Sequence, residues 1–230
     1  MYELYYWPSI PGRGEFVRLA LEDAAVPYRD VAREKDGVKA MMQVMRQEKP
    51  GPFAPPFLKV DDLLIAQTAA ILHFLGPRLG LVDNDEERRA LALQMQLTIA
   101  DIVAETHDNH HPIASGLYYE DQREEAKRRT TSFLKERMPK YLHYFEAQIA
   151  GPFLFGENSS YADLSLFQLL SGLDYAYPRA FRRLSIPKLG ELRDRVAKRP
   201  NIDAYLASER RIPFNEDGIF RHYPELDIEV

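Results

Sequence analysis

The hydropathy pattern of this 230-residue chain changes character once, and that change limits what it can fold into. Up to about residue 76, short apolar runs alternate with short helical patterns. From Asp85 onward the pattern is helical almost throughout. Strands and helices segregated along a sequence pack as separate layers or domains, so an α/β unit followed by an all-α unit is expected. The expected boundaries are 1–76 for the α/β unit, 77–84 for a linker (PRLGLVDN) and 85–230 for the helical bundle.

Within the first unit, the aromatic run YELYYW at residues 2–7 predicts a short strand that stops before Pro8. Phe16, Leu19, Ala20 and Ala24 then recur at helical spacing, with Arg13 and Glu15 at the helix start. Tyr28 to Val31 reads as a second strand and Val38 to Val44 as a short helix. Strand, helix and strand make one βαβ unit with a parallel pair. The loop PGPFAPP at residues 50–56 is too rich in proline for regular structure. FLKV and LLIA flank Asp61-Asp62 as two strands on a two-residue turn, and QTAAILHFLGPRLG reads as a helix that stops at Gly76-Pro77. In the second unit, YADLSLFQLLSGLDYAY is the most apolar stretch and is expected to be the central buried helix. Ser160 and Asp163 at its start have capping-box spacing.

Composition narrows the function. The chain has no cysteine, which excludes disulfides, thiolate metal sites and a protein-thiol nucleophile. Any sulfur chemistry must arrive on a ligand. A net charge of -5, from 30 Lys and Arg against 35 Asp and Glu, argues against nucleic acid as a partner. With no run of 18 apolar residues and no secretion-signal pattern at the start, no membrane association is expected and a cytoplasmic location is the default.

A βαβ–ββα unit with a proline before its hairpin, joined to a helical domain, resembles the cytosolic glutathione S-transferases. The matching residues are dispersed. Tyr6-Trp7 followed by Gly12-Arg13 is similar to the mu, pi and sigma classes. Pro56-Phe57-Leu58 matches the family's cis-proline opening a strand, and Gln67-Thr68 stands where Gln-Ser is usual. Ala100-Asp101, the run GENSSYADL (Gly156 to Leu164) and the closing RPNIDAYLASERRIPF complete the set in order. The resemblance implies a thioredoxin-like N-terminal domain, a helical domain supplying the electrophile site, glutathione as co-substrate, no metal, and a homodimer acting on small hydrophobic electrophiles.

That chemistry suits a chain without cysteine. A free thiol has a pKa of about 8.5, so roughly 3% is thiolate at pH 7. One hydrogen bond from a neutral hydroxyl to a charged sulfur contributes about 1.5–3 kcal/mol, enough to lower the thiol pKa by roughly one to two units. A single positioned hydroxyl therefore suffices.

The resemblance makes Tyr6, at the end of the first strand, the candidate hydroxyl. Ser9 is its rival, because Ser9-Ile10-Pro11-Gly12-Arg13 is similar to the serine-based classes. Glutathione binding is implied for Trp7, Arg13, Lys49, Pro55, Gln67, Thr68 and Asp101. Gln67 and Thr68 open a helix whose free N–H groups can hold a carboxylate. Asp101 would reach a neighbouring subunit's ligand, or is a plain surface acid. Pro56, Ser160 and Asp163 are expected to be structural. The chain departs from the family at Pro55, which has no N–H to donate, and at Ala54, where some classes carry an amide. Weaker glutathione binding follows. His107, His110 and His111 cluster beside Asp108, as electrophile-pocket lining or a solvated helix end, with a metal disfavoured. Phe220 and Tyr223 of the tail either fold back over the pocket or lie on the surface. A non-catalytic relative (a structural crystallin-like protein, a ligand carrier or an assembly module) is the alternative function.

Overall fold

The computed structural model describes residues 1–227 of the chain. Four strands form one sheet: β1 (Tyr2–Tyr5), β2 (Tyr28–Asp30), β3 (Phe57–Val60) and β4 (Leu63–Ala66). Their order is β2-β1-β3-β4. β1 runs parallel to β2 and antiparallel to β3, and β4 closes the hairpin with β3. Alternation in β1 sets the two faces. Leu4 packs with Val17 and Leu21 of α1 (Gly14–Asp23) and with Ile71 and Leu75 of α3 (Thr68–Arg78). Tyr5 and Phe57, stacked at 4.5 Å, face Met41 of α2 (Gly37–Gln47). This is the expected thioredoxin-like layer arrangement.

Several expected element ends move. β1 stops at Tyr5 rather than Trp7, because its partner strand begins only at Phe57, after a proline with no N–H. β2 ends at Asp30, and Val31–Arg33 forms a single 3₁₀ turn. The helix expected over Val38 to Val44 is longer, Gly37–Gln47. α3 does not stop at Gly76-Pro77 but continues to Arg78. A proline in the last turn removes one intrahelical donor only, and the Leu79 amide still reaches the Leu75 carbonyl at 2.9 Å. Gly76 is needed for packing, since a Cβ there would lie 2.7 Å from the Tyr161 ring.

The helical part comprises α4 (Glu86–Asp108), α5 (Arg123–Ser132), α6 (Met138–Gln148), α7 (Tyr161–Ala176), α8 (Pro178–Phe181), α9 (Pro187–Ala197) and α10 (Pro200–Leu206). A π turn at Phe133–Arg137 links α5 to α6. α7 is the buried centre, with Leu164, Leu166 and Leu169 fully enclosed. Burying each such side chain contributes about 1.5–3 kcal/mol. Phe16, Leu19 and Leu72 of the α/β part join the same core as α4 and α7, so apolar packing runs unbroken between the two parts.

The Ser160–Asp163 capping box opens α7. Asp163 accepts the Ser160 amide at 2.7 Å, the Ser160 hydroxyl at 2.6 Å and the Leu154 amide at 2.8 Å. Burial holds its carboxyl above the ordinary range, against the pull of these donors. After α10 the described chain has no further helix but packs back on the protein. Phe220 is buried against Gly172, and Tyr223 stacks on Tyr119 at 3.9 Å. Asp227 accepts the Arg179 and Ala180 amides at the start of α8. No described helix is long and apolar enough to cross a membrane.

Candidate active site

Tyr6 lies just past the end of β1, and the turn into α1 is built around its ring. Gly12 has φ +43°, and a Cβ there would fall 2.1 Å from the Tyr6 hydroxyl. A Cβ on Gly14 would lie 2.5 Å from the ring. Only glycine permits so close an approach at both positions. The Arg13 amide donates to the Tyr6 hydroxyl at 2.8 Å. The hydroxyl's own hydrogen has no acceptor among the described residues. Burial raises the phenol pKa above its usual value, while the Arg13 amide and the Arg13 and Arg18 charges oppose this. The group is thus a neutral donor at physiological pH, with one of its two lone pairs already in use.

A crevice runs from the start of α1 to α4. Arg13, Phe16, Thr68, Gln96, Ile99, Ala100 and Val103 line it, around some 240 Å³ of space that includes the open mouth. The positions Gln96, Ile99 and Val103 fall on one face of α4 by spacing, a signal that the sequence carried but that its even mixture of polar and apolar residues hid. At the start of α3, Gln67 holds a φ of +72°. Thr68 Oγ1 is buried without a partner. A buried orphan hydroxyl beside free first-turn amides suits an anionic ligand group. The Pro55–Pro56 peptide is cis, as is Lys49–Pro50.

The structure therefore brings Arg13 and Thr68 to one crevice; Tyr6 is buried and does not itself line it, and is tied to it through the Arg13 amide on its hydroxyl. Ser9 is exposed on the loop, and its carbonyl accepts from Asn215 at 2.8 Å. Trp7 is also exposed, while Pro55 is half-buried. Lys49 and Asp101 are exposed and do not line the crevice. The three histidines sit at the end of α4, their ring centres 4.8–5.3 Å apart. His110 bonds the Ile219 carbonyl at 2.9 Å. Burial, then the Arg221 charge, push its pKa down to about 3, so the ring is neutral. No group among the described residues could hold a metal ion.

A family model described as the C-terminal domain of glutathione S-transferase matches residues 107–209. A glutathione S-transferase of Plasmodium yoelii yoelii is 26% identical over 204 residues, covering 86% of this chain and 90% of its own. Glutathione S-transferase P 10 of Caenorhabditis elegans is 29% identical over 212 residues, covering 90% and 91%. The pi-class glutathione S-transferase structure of Onchocerca volvulus superposes with a TM-score of 0.70 at 25% identity, over 89% of this chain and 91% of that one. The family-model match and these relatives support a cytosolic glutathione S-transferase. As in that family, the transferase sets a thioredoxin-like sheet beside a helical domain. The relatives support a glutathione S-transferase enzyme, and glutathione is the co-substrate those homologues use.

Proposed function

We propose that the transferase works by a tyrosine-based mechanism close to the mu, pi and sigma classes. Residues 1–76 hold glutathione, and residues 85–230 complete a site for a small hydrophobic electrophile. Tyr6 donates its free hydroxyl hydrogen to the glutathione sulfur and holds it as thiolate. The observation that carries this reading is the Arg13 amide on the Tyr6 hydroxyl. It occupies one lone pair and aims the remaining hydrogen away from the α1 turn. The thiolate then attacks the electrophilic carbon, forming the carbon–sulfur bond as the leaving group departs. The Thr68 hydroxyl and the first-turn amides of α3 take one glutathione carboxylate, and Arg13 takes the other.

The test compares Tyr6→Phe with Ser9→Ala in chlorodinitrobenzene conjugation. Full activity in Ser9→Ala with loss in Tyr6→Phe supports this assignment. The reverse result hands the role to Ser9 and ends it.

Pro55 offers the ligand backbone a carbonyl but no N–H. One missing hydrogen bond weakens binding by about 3–10-fold. Titration calorimetry should give a glutathione dissociation constant above the micromolar range, and Pro55→Val should tighten it by about that factor. A sub-micromolar value for the unmodified protein contradicts the expectation.

We also infer a homodimer. Phe53 is 93% exposed in the proline loop, and Leu97 on α4 is 51% exposed. Covering a phenylalanine of this size contributes about 2 kcal/mol or more. Asp101, exposed near Leu97 on α4, would then face the partner subunit. Phe53→Asp should shift the protein from dimer to monomer in light scattering at micromolar concentration. An unchanged mass removes Phe53 from the interface.

A further inference from the structure

Beneath the Tyr6 ring lies a buried ionic network that the mechanism above does not use. Glu15 and Arg18, both on α1, are fully enclosed. Arg18 lies under the aromatic ring, its guanidinium carbon 5.8 Å from the ring centre. It bonds Asp30 at 2.7 Å, Glu15 at 3.2 Å and the Pro11 carbonyl at 3.4 Å. The Glu15 amide meets the same Pro11 carbonyl at 3.0 Å. Glu15 thus grips both ends of the Pro11–Glu15 turn, which contains the Arg13 amide.

The other carboxylate oxygen of Glu15 is held from outside α1. Tyr205 of α10 donates to it at 2.6 Å, and Arg211 pairs with it. Arg211 also donates to Gln168 of α7 at 2.9 Å. Its side chain is only 13% exposed. Two guanidinium groups, Arg18 and Arg211, balance two carboxylates, Glu15 and Asp30. Without Arg211 a buried carboxylate keeps too little positive charge and the turn loses its tie to α7.

We propose that Arg211, 205 residues along the chain from Tyr6, is a positioning residue for the thiol-activating hydroxyl: through Glu15 it fixes the turn whose Arg13 amide orients Tyr6. The proposal rests on the tyrosine reading given above. Arg211 does not line the crevice, so its loss should change how well the sulfur is ionised and leave glutathione's own grip alone.

The readout is the pKa of enzyme-bound glutathione, from thiolate absorbance and the pH profile of kcat/KM. In Arg211→Ala it should rise by about one unit, with about tenfold lower kcat/KM near pH 6.5. Binding of S-methylglutathione, which has no thiol, should change by less than about threefold. Arg211→Lys keeps the charge and should recover about half of the shift. On a Tyr6→Phe background, Arg211→Ala should add no further shift, because residues acting through one another are not additive. If Arg211→Ala does not fold, Arg211→Gln keeps a donor for Glu15 and reads the same quantity. An unshifted thiol pKa in the Arg211 variants overturns the proposal when Tyr6→Phe does shift it. So do additive shifts, or a loss carried by S-methylglutathione binding. An unshifted Tyr6→Phe overturns the tyrosine reading and this proposal together.

Discussion

Tyr6→Phe should lower kcat/KM for chlorodinitrobenzene conjugation by about 10–100-fold near pH 6.5, since it removes one charge-assisted hydrogen bond of about 1.5–3 kcal/mol. The bound thiol pKa should rise by roughly one to two units at 1.36 kcal/mol per unit. The hydroxyl stabilises the thiolate, so it matters most where the unassisted thiol is protonated. As the pH climbs past the raised thiol pKa, both forms become thiolate and the deficit closes. Burial keeps the Tyr6 phenol itself protonated above its usual range, so the wild type keeps its donor throughout. A pH-independent deficit would point to a lost structural contact instead. A modest stability loss accompanies the change, because the Arg13 amide loses its acceptor. An unpaired donor costs about 1–3 kcal/mol when buried, and this one is partly buried, so the lower end applies. Near-ultraviolet circular dichroism should therefore show an intact fold.

Asp163→Ala should lower the thermal midpoint by about 10 °C. The carboxylate takes three donors, two of them backbone amides: Ser160 at the start of α7 and Leu154 in the preceding turn. Alanine leaves both amides buried without a partner, at about 1–3 kcal/mol each. The α7 cap goes as well. For a chain of this size each kcal/mol moves the midpoint by roughly 2–4 °C. Position decides the scale, because α7 packs against α1, α4, α8 and α9, and fraying its first turn exposes Tyr161 and Leu164, both fully buried. Ser160→Ala removes only the hydroxyl and should cost about 0.5–2 kcal/mol. A drop in Asp163→Ala no larger than that of Ser160→Ala would mean that water replaces the carboxylate.

The local rules were enough where an element answers to its own neighbours in sequence. Apolar alternation, helical spacing and the proline loop were legible, and so were the four strands, the helices of the first unit and the buried helix that became α7. Element ends were less so. β1 ends early because of where β3 begins, and position 76 of α3 must be glycine because Tyr161, 85 residues on, fills the space a Cβ would take. Neither cause lies within the segment concerned.

The site divides the same way. The lack of cysteine, by itself, required any reactive sulfur to come from a ligand, and Tyr6, Arg13 and Thr68 were readable as candidates because their motifs are local. Sequence could not tell Tyr6 from Ser9. Folding buries one on two glycines with its hydroxyl on the Arg13 amide and leaves the other exposed on the loop. The polar network of Glu15, Arg18, Tyr205 and Arg211 spans nearly the whole chain and has no sequence signature. Hydrogen bonds and ion pairs of that kind have no period. They exist only once apolar packing has brought distant segments together and excluded the water that would otherwise compete for them.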